Sequence, residues 1–211
     1  MSTISTYLAG LAQRIADQEH KLDSDSLSAC ITQALKEYSA RKPRYITEES
    51  TANGTAFLPL PASWDDGFSA VARLEEVDAS GEPLLVEPQG YQLLQQPNPA
   101  ADVIFLTRHT PQNDVVFRVK FPILHVVDDA SSSIPAVDEA AVIDLAASHA
   151  CLRLAAEYLQ HENASLGTVQ IDYKSKASEY RSQAKEYRNR YNDHLGALSK
   201  RAAGGMKASR R

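Results

Sequence analysis

The sequence predicts an α+β protein: a four-helix body with a small β-rich module inserted between helices two and three, an extended C-terminal helix and a flexible basic tail. Helical spacing of apolar residues covers 1–43 and 131–196, which we assign to the body. In 44–130 the apolar runs shorten to strand length and most of the ten prolines occur, so this range is the predicted β-rich insertion. The last range, 197–211, is the predicted flexible arm.

The first two helices follow from apolar residues that recur on one helical face. In the first helix these residues are Ile4, Tyr7, Leu8, Leu11 and Ile15. The polar run 23–26 can cap the second helix, and Pro43 lies just beyond its predicted end. The apolar face of the second helix consists of Leu27, Ile31, Ala34, Leu35 and Tyr38.

The clearest strand of the β-rich module is 115–121, in which every second residue is Val or Phe. The turn residues 112–114 precede it, and the apolar run 103–106 lies before them. We therefore expect 103–106 and 115–121 to pair as a hairpin.

A second strand pair, 68–77 with 84–87, is expected on the two sides of the turn signal 80–83. The sole tryptophan of the chain, Trp64, follows a Pro-rich apolar run and is expected to fill a small core.

The third helix is expected to begin after the serines 131–133, with Pro135 in its first turn. Asp138 and Glu139 lie where the helix dipole favours negative charge. From 140 to 159 the sequence is apolar on almost every side of a helix, so several faces must be covered. That cover comes either from this chain or from a neighbouring subunit.

The fourth helix is expected over 172–195, because tyrosines recur every seven positions. An alanine or a tyrosine follows four residues after each of them, on the same helical face. The members of this seam are Tyr173, Tyr180, Tyr187, Ala177, Ala184 and Tyr191. The heptad spacing favours packing against a helix over stacking on nucleic-acid bases. Gly196 is the expected end of the helix.

Charge is divided unequally along the chain. Residues 172–211 contain eleven basic and four acidic residues, net +7, whereas 1–171 contain eleven basic and twenty-three acidic residues, net −12. The range 198–211 has five basic residues and no acid, and we expect it to stay disordered until it is bound. From composition alone it is a solvated terminus, a protein-docking arm or a nucleic-acid-binding arm.

The sequence offers no catalytic, metal or cofactor motif. The glycines form no phosphate-binding loop, and the six histidines include no HExxH pattern. Two cysteines, Cys30 and Cys151, are too few for a disulfide framework or a thiolate metal site, and both lie in predicted buried helices. No apolar run reaches membrane-spanning length and no signal peptide is apparent, so a cytoplasmic, unanchored protein is expected. We expect no enzyme activity.

The order of these elements resembles the head-to-tail connector proteins of tailed bacteriophages, also called adaptor or head-completion proteins. The resemblance spans most of 25–196. Its segments read LKEYSARKP, FLPLPASWDDGFSAV, IPAVDEAAVIDLAASHACLRLAAEYL and DYKSKASEYRSQAKEYRNRYNDHLG. The family pattern of a helix, Tyr-Ser, a basic residue and Pro corresponds to 38–43. The large β-rich insertion departs from the mostly helical members of the family.

The resemblance implies a non-enzymatic virion protein of the neck, assembled in the host cytoplasm. Such proteins form a ring, commonly of twelve copies, that docks beneath the portal, offers a surface to the next neck or tail protein and lets DNA pass. The C-terminal helix and tail would contact the portal or the next subunit, and there is no membrane partner. This role would fall on Tyr173, Tyr180, Tyr187, Tyr191, Lys200, Arg201, Lys207, Arg210 and Arg211. The alternative function is a basic-armed nucleic-acid-binding protein.

Overall fold

The computed structural model describes residues 2–15, 21–78, 80–94, 102–160 and 173–208, with side chains within the last range from 175 to 196. Its helices are α1 (Ile4–Ile15), α2 (Ser24–Arg41), α3 (Glu139–Gln160) and α4 (Tyr173–Ala208). Its strands are β1 (Arg44–Asn53), β2 (Phe57–Pro59), β3 (Arg73–Val77), β4 (Pro83–Val86), β5 (Tyr91–Leu94), β6 (Val103–Leu106) and β7 (Asn113–Ile123). The predicted α+β class is confirmed.

The chain forms two compact units. One consists of Met1–Tyr38 with His125–Arg211, and the other of Ser39–Leu124. The first unit holds all four helices and the second holds all the strands of the described ranges.

A single hydrophobic core holds the helical unit together, and all four helices contribute to it. The predicted apolar faces of α1 and α2 point into this core, as do the alanines of the α4 seam. Its largest fully buried side chains are Tyr7, Leu11, Ile31, Tyr38 and Tyr191. The start of α2 is capped as predicted, because the carboxylate of Asp23 accepts a hydrogen bond of 2.8 Å from the backbone N–H of Ser26.

α3 is covered on several sides by helices of the same chain. Eleven of its residues are buried, and it packs against both α1 and α4. The predicted start of α3 was wrong, because the helix begins at Glu139 and Pro135 lies before it. The backbone N–H of Asp138 instead donates to the carbonyl of Pro135 at 2.8 Å, so this stretch forms a separate turn that buries Ile134.

The predicted end of α4 at Gly196 was also wrong, because the helical backbone continues to Ala208. Glycine lowers helix stability by only about 1 kcal/mol relative to alanine, and no proline follows to stop the helix. The predicted flexibility of 197–211 stays a prediction.

The strands of the second unit form two antiparallel sheets with different partners from those expected. The larger sheet has the order β1-β7-β3-β4 and the smaller has the order β2-β6-β5. β6 and β7 therefore belong to different sheets, and the predicted hairpin between them was wrong. The buried face of β7, with Phe117, Val119 and Phe121, lies between β1 and β3 in the centre of the larger sheet.

The second predicted pair is confirmed, because β3 and β4 form an antiparallel hairpin. Gly81 adopts a positive φ of 85° in the connecting turn. The carboxylate of Asp78 accepts backbone hydrogen bonds of 2.9 Å from Ser80 and Glu82. Those two bonds hold the turn that positions β4 at the edge of the sheet.

Trp64 packs against the core of the β-rich unit as expected, with its ring centroid 5.2 Å from that of Phe121. Leu58, Leu74 and Ile104 are completely buried in the same core. The two sheets therefore share one set of apolar contacts.

The substitution Phe117→Ala should destabilise the β-rich unit by about 3–5 kcal/mol, because it removes a fully buried ring and leaves a cavity. Urea unfolding monitored by the fluorescence of Trp64 measures this loss, since Trp64 lies in that unit. The control is Phe57→Ala, whose ring is 44% exposed and pairs with Phe105, and it should lose about 1 kcal/mol. Equal losses in the two variants would contradict the assigned position of β7.

Candidate interaction site

The tyrosine seam of α4 packs on helices of its own chain. Ala177, Ala184 and Tyr191 are at most 2% exposed. The ring of Tyr180 stacks on that of Tyr158 in α3, at 5.5 Å between centroids and 10° between planes. Within the described ranges, the helix partner predicted from the heptad spacing is thus intramolecular, and Tyr180 and Tyr187 keep half-exposed rings.

The structure does not bring all the predicted interface residues together. Tyr173 is the first residue of α4, but its side chain lies outside the described part. Lys200, Arg201 and Lys207 lie on the helical backbone, again without described side chains. Arg210 and Arg211 lie outside the described residues.

A buried carboxylate joins the middle of α4, at His194, to α2 and to the start of α3. Asp138, immediately before α3, is 0% exposed. It accepts a hydrogen bond of 2.6 Å from the hydroxyl of Tyr38 in α2, and its other oxygen lies 2.9 Å from Nε2 of His194 in α4. Because a carboxylate only accepts, Nε2 of His194 is the donor.

The pKa of the Tyr38 hydroxyl is raised far above its ordinary value, first by burial and then by its hydrogen bond to Asp138. Tyr38 therefore keeps its proton and donates to Asp138 at neutral pH. Asp138 also lies at the N-terminal end of α3, where the helix dipole stabilises its negative charge.

A second polar contact joins α2, α3 and α4 through Glu37. One carboxylate oxygen of Glu37 lies 2.8 Å from Nη2 of Arg188, and the other lies 3.0 Å from Nε2 of His149. The His149 contact is close, but its atoms are not aligned as a hydrogen bond. Burial lowers the pKa of His149, and the charge of Glu37 opposes that shift.

A third contact ties α4 to α1. The hydroxyl of Tyr187 donates to the backbone carbonyl of Arg14 at 2.8 Å. The guanidinium of Arg14 in turn pairs with the carboxylate of Asp144 in α3, at 2.5 Å. Together, the contacts of Tyr187, Arg188 and His194 fix α4 against the other three helices.

The outward face of α4 is mixed in charge between 175 and 196, because the exposed acids Glu179, Glu186 and Asp193 accompany the exposed cations. The mostly basic surface that the sequence predicts is not seen there. Arg181, Lys185 and Arg190 are exposed, and Arg190 pairs with Glu186 one turn earlier. Lys176 lies over the ring of Tyr158, 5.2 Å from its centroid. This face adjoins the buried seam and leads into the basic C-terminal range.

From the sequence, Asp138 is recognisable only as a negative charge favoured by the helix dipole, and its contacts with Tyr38 and His194 are not predicted. Tyr38 and His194 are 100 and 56 residues away from it, so no local spacing indicates the contacts. The only available signal was an acidic residue among apolar neighbours. A buried charge needs partners of this kind.

Neither a metal cluster nor a membrane-spanning helix occurs in the ranges that the structure describes. No three His, Cys, Asp or Glu side chains there are grouped so that they could hold an ion. None of the described helices is long and apolar enough to span a bilayer. Cys30 and Cys151 are free and buried, and burial raises the pKa of the Cys151 thiol to about 12.

Comparison with known proteins returned no family and several likenesses to solved structures. No family model and no curated protein matches the chain. It is similar to a chain of the "Neck of empty GTA particle computed with C6 symmetry", with 17% identity, a TM-score of 0.31 and coverage of 86% of this chain and 92% of that chain.

Two further likenesses come from the same kind of particle. One is to the "Neck of native GTA particle computed with C12 symmetry", with 19% identity, a TM-score of 0.28 and coverage of 82% and 91%. The other is to the "Virion of native gene transfer agent (GTA) particle", with 15% identity, a TM-score of 0.28 and coverage of 86% and 92%. These TM-scores are low: the backbones superpose only in part.

The substitution Tyr38→Phe should destabilise the helical unit by about 2 kcal/mol, because it removes a hydrogen bond to a buried carboxylate. Urea unfolding monitored by circular dichroism at the helix band measures the loss. The control is Tyr7→Phe, an equally buried tyrosine whose hydroxyl lies 3.4 Å from the neutral Ser132, and it should lose about 0.5 kcal/mol. A control variant as unstable as Tyr38→Phe would refute a special role for Asp138.

The helical unit should lose stability as the pH falls through the ordinary histidine range, because the folded state lowers the pKa of His149 below 6.5. The unfolded chain then binds the proton more readily than the folded chain does. Unfolding measured from about pH 7.5 to about pH 5.5 should therefore show a smaller loss in His149→Gln than in the parent. Glu37→Gln removes the opposing carboxylate and should enlarge the loss. An unchanged pH dependence in His149→Gln would contradict this assignment.

Proposed function

We propose that this chain is a structural protein of a virion neck. Its copies would form a ring that joins the portal of a phage-type head to the neck or tail and lets DNA pass. The proposal draws support from the segments that resemble head-to-tail connector proteins, which span most of 25–196. In this function the chain is an adaptor that binds other proteins and transforms no substrate.

The observation that carries the proposal is the division of α4 into an anchored part and an extension. Up to Leu195, its seam side chains pack on the helical core. From Gly196 the helix continues to Ala208, a length of about 18 Å. The extension contains Lys200, Arg201 and Lys207 and no acidic residue. A rigidly held helix that leads into a purely basic segment is suited to docking on an acidic protein surface.

The charge of the body suits a channel for DNA. Residues 1–171 carry a net charge of −12, and like charge repels the phosphate backbone. Repeated around a ring, such bodies would pass DNA without binding it. In this proposal DNA is cargo, and the lasting partners are the portal, the next neck or tail protein and further copies of the chain.

The ring, commonly of twelve copies in the resembling family, would use the remaining exposed parts of the seam. Tyr180 and Tyr187 are half-buried, so their outer edges are available to a neighbour. The division into 1–43 with 131–196, 44–130 and 197–211 belongs to the same proposal. Its last range is the docking arm.

Deletion of 198–211 should leave a folded protein that binds the portal at least roughly tenfold more weakly, because the cationic docking segment is lost. Circular dichroism and thermal unfolding test the fold, and sedimentation with purified portal rings tests binding. A charge-reversed full-length variant, Lys200→Glu with Arg201→Glu, should show the same defect.

The matched control is Arg181→Glu with Lys185→Glu, which reverses two exposed charges on the anchored part of α4. It should bind the portal as the parent does. Normal portal binding by the truncated chain would remove the docking-arm assignment. Salt-sensitive binding of duplex DNA by the parent, lost on truncation, would favour the nucleic-acid-binding function instead.

A further inference from the structure

An open groove runs between α2 and α3 on the helical unit, with a volume of about 720 Å³. Its walls include the small side chains of Ala29 and Ala156, so a partner can approach the backbone closely. Leu152 lies in the groove and is 46% exposed, which is unusual for a large apolar side chain in a helix as deeply buried as α3. Thr32 and Gln33 also line it, so the groove suits a segment that combines apolar and polar side chains.

The two cations of the groove lie at opposite ends of it. The Nη1 of Arg153 donates to the carbonyl of Ser26 near the start of α2, at 3.4 Å. His149, one turn earlier in α3, lies beside Glu37 near the end of α2. The helices are therefore antiparallel here.

The second cation, Lys36, lies ten residues after Ser26, about 15 Å further along α2. Neither Lys36 nor Arg153 has a carboxylate within ion-pair distance among the residues described. The groove thus has Leu152 in its lining and a cation at each end, and the charge of Arg153 also acts on Asp23.

The β-rich unit carries a surface whose charges are opposite to those of the groove. β4 is the edge strand of the larger sheet, paired only with β3. Its Leu84 and Leu85 are 57% and 55% exposed, on opposite faces of the strand. They form an apolar edge, which natural sheets ordinarily avoid unless a partner covers it.

Acidic residues flank this edge on both sides. Glu82 precedes β4 and Glu87 follows it, and both are exposed. In the described part of the chain neither carboxylate pairs with a cation. Four residues of extended chain lie between them, so their Cα atoms are about 16 Å apart. The spacing of the two acids therefore matches the spacing of the two cations in the groove.

We propose that β4 of one copy docks into the α2–α3 groove of a second copy. Leu85 would cover Leu152, while Glu82 and Glu87 would pair with Lys36 and Arg153. Both surfaces belong to the same sequence, and they match in charge and in length, which favours a second copy over an unrelated partner. The inference deepens the proposed function, on which it rests, by naming the contact between ring subunits.

This contact is head-to-tail, because each copy presents two different surfaces. Such an interface produces a ring when the rotation between copies closes, and an open filament when it does not. A copy bound through its β4 still has an empty α2–α3 groove, which can bind the next copy.

A cysteine cross-link tests the contact directly in the full-length protein. Leu85→Cys and Leu152→Cys variants are purified separately, mixed at high concentration and oxidised mildly. The native Cys30 and Cys151 are buried, but Cys30 lines the same groove, so both chains also carry Cys30→Ser. A disulfide-linked dimer should form in the mixture and should be absent from either variant alone. The control replaces Leu85→Cys by Leu93→Cys, an exposed leucine on the edge strand β5, and should give no dimer.

Charge reversal provides an independent test. Glu82→Lys with Glu87→Lys should reduce the yield of the cross-link roughly tenfold, and so should Lys36→Glu with Arg153→Glu. Combining the two reversed chains should restore it, which separates loss of contact from misfolding. Absence of the cross-link in the parental pair, or an equal yield with Leu93→Cys, would overturn the proposal.

Failure of the proposed contact and failure of the proposed function give different experimental outcomes. If the chain cross-links as expected but never enters a particle, the subunit contact stands and the neck function fails. If the chain assembles into portal-bound rings without this cross-link, the function stands and the contact fails.

Discussion

The helical unit depends on one buried negative charge. Asp138 lies where α3 begins, and it is contacted by Tyr38 near the end of α2 and His194 near the end of the anchored part of α4. Removing a carboxylate from water costs several kcal/mol unless donors replace the lost hydration. Three helices must therefore meet at this point in one register, and apolar packing then closes around them. The direction in which α4 leaves the core follows from that constraint.

Local periodicity was enough to predict the four helices and four of the strands that the structure describes, but only one of the strand pairs. The apolar faces of α1 and α2 and the hairpin of β3 and β4 depend on neighbours within a few residues. The strands that pair with β7 depend on the arrangement of the whole sheet. The alternation of apolar residues in β7 shows that it is a strand, but not which strand lies beside it. β1 was missed as a strand because RYITEESTAN is mostly polar, and it pairs with β7 across about seventy residues. Sequence spacing carries no information at that distance.

The candidate site was predictable only in part, for a similar reason. The heptad of Tyr180 and Tyr187 indicates a helix partner but not which chain supplies it. The roles of Asp138 and Glu37 arise only when distant helices come together. The pattern of β4, two leucines between two glutamates, is visible in the sequence, but its meaning requires the knowledge that it lies at a sheet edge. An element's surroundings, more than its composition, decide what it can bind.

The burial of both cysteines has a consequence for the protein's resistance to oxidation. Oxidation of a thiol begins from the thiolate, and burial raises the pKa of Cys30 and of Cys151, so little thiolate forms at neutral pH. The chain has no other sulfhydryl group. The two thiols of the folded protein should therefore resist oxidation when the surrounding solution changes from reducing to oxidising.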